Sequence, residues 1–243
     1  MTKFERLFGL NERDINKTCV LLPLVPKGVL RQLRVSRLQK GSLYSSGNNG
    51  YFTVINTGMG PGLTGDAVLY LKGTPCQNLL LFGSCALVKE KDGLAQGGIV
   101  SPLSCYSNES FSNLLLEGGL FKEPFFPDKI LHKMLADRSG QEIKEVACAT
   151  IASLKMEEDM VELFVKNGVD IVDMECSAFF SAAQHAKRKA AALLYITDVI
   201  KDKPFYGTQD PKSRLVIASS IRLAADILSR FIEIDLSGPD RGH

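Results

Sequence analysis

The sequence predicts an α/β fold: a single domain over residues 1–243, with a central mixed or largely parallel twisted sheet flanked by helices. Three observations predict it. Short apolar runs alternate along the chain with segments of helical pattern. Several of those runs are apolar nearly throughout, which is how strands buried on both faces read. No linker rich in Pro, Gly or Ser separates two halves, and no internal repeat is present.

The strand candidates are, in order, TCVLLPLV (18–25), YFTVINTG (51–58), NLLLFGS (78–84), GGIVS (97–101), EIKEVACAT (142–150), VDIVDME (169–175) and AALLYIT (191–197). Between them, GPGLTGDAVLYLKG (60–73), DKILHKMLADRSG (128–140) and KMEEDMVELFVKNG (155–168) read as helices with glycine at the stop. An alanine-rich segment joins the last two strands and also reads as helix. The final helix has the clearest period, with Ile217, Ile221, Ala224, Leu228 and Phe231 at three- and four-residue spacing. Residues 102–127 carry no such period and are expected to form a long irregular excursion.

Composition excludes several classes of function. Net charge is +2 and the cations are scattered among acids, so no basic stripe offers a footprint for nucleic acid. No apolar run reaches the roughly 18 residues that a membrane helix needs. The segment MTKFERLFGLNERDINK is too polar and too acidic for a signal peptide. The six cysteines form no CxxC and no metal-type pairing with the three histidines. Several lie inside apolar runs, where cysteine acts as a small hydrophobe. The expectation is a reduced, cytoplasmic protein with no metal or other cofactor.

Carboxylates mark the ligand end of the sheet. Asp173 and Glu175 stand where one buried strand runs out, and Asp198 where the next does. In parallel α/β sheets ligands bind just beyond the carboxyl ends of the strands, and a carboxylate is costly to desolvate without a partner. An ionised Glu175 can accept two hydrogen bonds at once, a grip suited to adjacent sugar hydroxyls. It can equally be an acid in the first turn of a helix. A partly desolvated Asp198 can hold a proton near neutral pH and donate it to a leaving group, or cap a turn. NTGMGPG (56–62) is a glycine-rich turn whose backbone N–H groups, Gly60 among them, can meet an anion or simply close a tight connection. In LLLFGSCALV (79–88), Ser84 offers a hydroxyl, and Cys85 reads as packing.

Taken in order, NTGMGPG, FGSCALV, VDMECSAFF and YITDV resemble the nucleoside phosphorylase/nucleosidase family, from about Gly9 to about Phe231. FGLNERDI (8–15) is similar to the opening of the uridine phosphorylase branch. The resemblance implies a nucleoside lying across the strand ends. Glu175 would grip the ribose 2′- and 3′-hydroxyls, Met174 would pack beneath the sugar, and Asp198 would protonate or hydrogen-bond a purine at N7. Ser84, Gly60 and Lys27 would lie on the side of the nucleophile or anion. Ser153, Leu154 and Arg214 would lie toward the base, although Arg214 also suits a surface position at a helix start. A homo-oligomer, a dimer or trimer of dimers, is implied as well, with a neighbour helping to close each site.

The departures from the family pattern bear on the nucleophile. In LLPLVPKGVLR, Leu24 and Val25 replace the Gly and Asp of a phosphate loop, and Gly28 stands where an Arg is expected. Leu81 occupies the position of a second phosphate-binding Arg. A phosphate dianion needs several charge-assisted donors, so hydrolysis is slightly favoured. Yet the same loop lacks the acid that activates water in nucleosidases. Phosphorolysis with a rebuilt anion site, using Lys27 or Arg31, and a nucleoside-binding protein without turnover are the alternatives. Retention of Asp198 favours a purine. Phe125, Phe126, Phe205 and Tyr206 are candidates for shaping the 5′ end, or for packing.

Overall fold

The computed structural model describes residues 1–91, 93–114, 124–138 and 143–236. Among the described residues the strands are β1 (Thr18–Leu22), β2 (Gln39–Lys40), β3 (Ser45–Asn48), β4 (Thr53–Asn56), β5 (Asn78–Leu87), β6 (Ile99–Asn108), β7 (Lys144–Ile151), β8 (Ile171–Asp173) and β9 (Lys189–Val199). They form one sheet in the order β2-β3-β4-β1-β5-β8-β7-β6-β9, and β9 also pairs with β5. That extra pairing closes β5, β8, β7, β6 and β9 into a ring, while β2, β3, β4 and β1 extend from it as an open wing. The sheet is mixed. β1 runs parallel to β4 and β5, β5 to β9, and β7 to both β6 and β8. The pairs β2–β3, β3–β4, β5–β8 and β6–β9 are antiparallel.

Central strands bury both faces, as their unbroken apolar runs predict. Alternate residues of β1, β5 and β9 enter two separate cores: Cys19, Leu79 and Ala192 on one side, Val20, Leu80 and Leu193 on the other. The helices are α1 (Lys3–Phe8), α2 (Val29–Gln32), α3 (Pro61–Tyr70), α4 (Ser110–Leu114), α5 (Lys129–Arg138), α6 (Leu154–Glu157), α7 (Val161–Lys166), α8 (Cys176–Ala186) and α9 (Pro211–Phe231). α3 and α8 cover the first face through Ala67, Val68, Phe179 and Phe180. α5 and α9 cover the second through Leu131, Leu135, Ala224, Leu228 and Phe231. α9 starts where Asp210 accepts the amides of Lys212 and Ser213, with Pro211 at its first position.

Five elements differ from the sequence expectation, each for a physical reason. β2 and β3 are short, polar edge strands, QK and SSGN, with no apolar run to announce them. α1 is set by its caps: the Thr2 side chain accepts the Glu5 amide, and Gly9 stops the helix at φ 79°. β6 continues to Asn108, inside the segment expected to be irregular, because it keeps pairing with β7; residues 115–123 of that segment lie outside the described residues. The helix expected over 155–168 is two, α6 and α7, interrupted at residues 158–160. The ends of the expected elements at 139–140 and 142 also lie outside the described residues.

All six cysteines are buried and free, packed as hydrophobes. No helix among the described residues is long and apolar enough to cross a membrane.

Candidate active site

Register places the site. Ala86 on β5 stands opposite Val172 of antiparallel β8 and opposite Asp198 of parallel β9. Beyond Val172 the chain runs back along β5, and so brings Met174 and Glu175 toward Gly83 and Ser84. Between Cys85 and Ala86 the pairing with β9 shifts by one residue. This bulge leaves Thr197 as the extra residue and re-aims the strand from Asp198 onward, as bulges do. The Thr197 hydroxyl lies 2.5 Å from Asp198 Oδ1, and both residues face a cavity of about 410 Å³. Pro23, Leu24, Met59, Gly83, Ser84, Cys85, Leu154, Met174 and Phe205 complete most of its wall.

Four carboxylates line this cavity: Glu157, Asp173, Glu175 and Asp198. No Lys, Arg or His is among its described lining residues. Asp173 is the anchor of the group. Its Oδ1 accepts from Thr150 Oγ1 at 2.6 Å and from Cys148 Sγ at 3.5 Å. Its Oδ2 accepts the amides of Glu175 and Cys176 at 2.9 and 2.6 Å, and so caps the start of α8. Burial still pushes its pKa up, against those hydrogen bonds. Cys105, Cys148 and Asp173 also bring donor atoms within 4.8 Å of one another, behind the cavity wall. Asp173 has its four hydrogen bonds there already.

Glu175 is buried and takes the Gly60 amide on Oε1 at 2.7 Å. Gly60 has φ 107°, a backbone state that suits glycine. The glycine-rich turn therefore spends this N–H on the carboxylate rather than on an anion in the cavity. Burial first, and then the charge of Asp173, raise the Glu175 pKa to about 8. Burial also raises Asp198, opposed by its Thr197 bond. The Ser84 hydroxyl lines the cavity and makes no hydrogen bond among the described residues.

The structure thus brings Ser84, Leu154, Met174, Glu175 and Asp198 to one cavity, with Gly60 behind Glu175. It does not bring Lys27, Ser153 or Arg214 to that wall. Lys27 is exposed on the loop after β1, and Arg214 is exposed in the first turn of α9. Leu81, at the place of an expected phosphate ligand, is buried within the sheet beside Leu21 and Ala192.

Sequence reasoning missed Glu157 and Thr197 as residues of this cavity, while Phe205, a candidate for shaping one end of the site, does line it. For Glu157 a signal existed. Leu154, Glu157, Val161 and Phe164 follow helical spacing, which sets a carboxylate on an apolar stripe. Its pKa is raised to about 7 by burial, then by the charges of Asp198, Asp173 and Glu158.

Residues 22–233 match the family model of the phosphorylase superfamily. The chain belongs to that superfamily. Its fold resembles those of uridine phosphorylase from Vibrio fischeri (18% identity, TM-score 0.77, covering 92% of this chain and 94% of that one) and of AMP nucleosidase from Bacteroides thetaiotaomicron (16%, 0.71, 95% and 94%). It also resembles purine nucleoside phosphorylase from Toxoplasma gondii (17%, 0.71, 92% and 94%). No curated protein matches the sequence. As a phosphorylase superfamily member, the chain is an enzyme of the class that breaks the N-glycosidic bonds of nucleosides.

In this superfamily member Asp173 holds the start of α8 and hence the position of Glu175. Asp173→Ala would leave the Glu175 and Cys176 amides and the Thr150 hydroxyl without their acceptor. Each such loss costs about 1–3 kcal/mol, partly offset by removing a desolvated charge. The expected result is a net destabilisation of roughly 2–4 kcal/mol, read by urea unfolding. A midpoint equal to that of the unsubstituted chain would show that Asp173 does not anchor the site.

Proposed function

We propose that the protein cleaves the N-glycosidic bond of a purine nucleoside, or of a 5′-modified one, with water rather than phosphate as acceptor. The observation that carries this reading is the polar lining of the cavity, which has four acidic side chains, Glu157, Asp173, Glu175 and Asp198, and no cation among its described residues. Such a wall stabilises a sugar that becomes positive as its bond to the base breaks. It opposes a phosphate dianion, which needs several charge-assisted donors.

In this mechanism Glu175 accepts the ribose 2′- and 3′-hydroxyls, and Met174 supports the apolar face of the sugar. Asp198 donates its proton to N7, so the base leaves neutral. The raised pKa of Asp198 keeps that proton available at higher pH than an ordinary aspartate would. The free Ser84 hydroxyl orients the water that captures the sugar cation, and the proton that this water releases restores the acid form of Asp198. Leu154 and Phe205 supply apolar walls for the base.

The test is release of free base from purine nucleosides with and without phosphate. Equal release in phosphate-free buffer is the expected result. Release that requires phosphate would overturn the hydrolytic reading and make this a phosphorylase. Solution mass measurement tests the proposed dimer or trimer of dimers, and a monomer would sink it.

A further inference from the structure

Three of the six cysteines gather around Asp173, and none of the three lines the cavity that Asp173 faces. Strand pairing brings them there. Cys105 of β6 stands opposite Cys148 of parallel β7, and β7 in turn sets Thr150 opposite Asp173 of β8. Cys176 opens α8. Donor atoms of Cys105, Cys148 and Asp173 lie within 4.8 Å of one another. The Cys176 thiol interacts with both of the other sulfurs and with the Asp173 carboxylate. All four residues are buried. A cysteine alone on an apolar strand packs as a small hydrophobe. Three thiols set around one desolvated carboxylate are instead a set of ligand atoms of matched chemistry.

We infer that this cluster is a site for a thiophilic divalent metal ion, zinc, held by the sulfurs of Cys105, Cys148 and Cys176 and by Oδ1 of Asp173. Zinc takes four ligands in a tetrahedron, with thiolate sulfur at about 2.3 Å and carboxylate oxygen at about 2.0 Å. Those lengths put a sulfur and an oxygen on one ion about 3.5 Å apart. Cys148 Sγ and Asp173 Oδ1 are 3.5 Å apart. Two sulfurs on one ion stand about 3.8 Å apart, so the 4.8 Å envelope closes on an ion with side-chain movements of about 1 Å.

The hydrogen bonds of Asp173 accommodate the ion. As each S–Zn bond forms, the thiol gives up its proton to solvent. The Oδ1 lone pair that accepted from Cys148 then turns to the ion, and Cys105 exchanges its 3.3 Å contact with Thr150 Oγ1 in the same way. The Thr150 bond to Oδ1 and both amide bonds to Oδ2 remain, and orient the carboxylate as partners of metal ligands do. The N-terminal end of α8 faces the same carboxylate and offsets the added thiolate charge. The ion clamps β6, β7 and the start of α8 beneath Glu175, which is a structural role. No spacing in the sequence announces the site, because its ligands come from four elements joined by pairing. The inference does not depend on the nucleoside reading of the cavity.

The cluster is closed to solvent, so the ion enters as the chain folds. The full chain is therefore produced in cells grown with added zinc or added cobalt, and bound metal is measured on the purified, folded protein. One zinc per chain is the expected result, with a thermal midpoint above that of protein produced under zinc restriction. Cys105→Ala and Cys148→Ala should each weaken retention against a competing chelator by more than about 10²-fold, since removing even a partner that only orients a ligand costs about 10- to 10²-fold. Cys19→Ala, outside the cluster, should keep the ion. The cobalt-loaded protein gives a readout that needs no variant: intense sulfur-to-metal charge-transfer absorption. Folded protein that carries no zinc overturns the inference. Zinc retained undiminished by Cys148→Ala, or a cobalt spectrum without the sulfur band, overturns it as well.

Discussion

Asp198→Asn is expected to slow base release by about 10²- to 10⁴-fold, the contribution of one well-placed general acid. Asn has nearly the shape of Asp and can still accept from Thr197, so the bulge on β9 should persist and nucleoside affinity should change little. What disappears is the transferable proton. The effect therefore belongs in the turnover rate and not in binding, which single-turnover base release separates. The pH profile carries a second signature. Burial raises the Asp198 pKa, and the acid works only while protonated, so the rate falls as pH rises through that pKa. In the Asn variant this limb should vanish. A turnover within about threefold of the unsubstituted enzyme would remove Asp198 from the proton-transfer step.

Glu175→Gln should lower kcat/KM by about 10- to 10²-fold. Two hydroxyl hydrogen bonds to a charged acceptor contribute about 1.5–3 kcal/mol each, and a neutral amide keeps roughly half of that. The Gly60 amide can still find the Gln oxygen, so the loss falls on the sugar and not on the fold. The decisive comparison uses a 2′,3′-dideoxynucleoside. It lacks both hydroxyls, so the substitution should scarcely change its rate. An equal loss on both substrates would mean that Glu175 acts structurally. The sign with pH comes from burial: the free carboxyl titrates at about 8, and ionised it grips hydroxyls best. Nucleoside affinity should then strengthen as pH rises toward 8, with a proton released on binding below it.

Much of this site is legible in the order of residues, because it is built at the ends of strands with strong patterns. Asp173, Glu175 and Asp198 each stand at the end of an apolar run, and those runs predict a sheet buried on both faces. Ser84 stands at the end of another. The α/β class, the covering helices and the stripe of α9 are likewise local consequences of apolar period. Glu157 was less visible. Its neighbours Glu158 and Asp159 make KMEEDM look like a solvated helix face, while the stripe through Leu154, Val161 and Phe164 points the other way.

Sequence by itself determined the alternation of strand and helix, the carboxylates at the strand ends and the absence of a basic surface stripe. Those come from hydrophobic period and residue chemistry, which act within a few positions along the chain. Tertiary structure alone decided which acids share a cavity and what each is bonded to. β8 turns antiparallel to β5, β9 returns to pair with β5, and a one-residue bulge aims Asp198. Each depends on pairing between segments far apart in sequence, where a shift of one residue sends a side chain to the opposite face. The same pairings commit Gly60 to Glu175 and leave Lys27 and Arg214 on the surface, while Glu157 faces the cavity with its carboxylate unpaired.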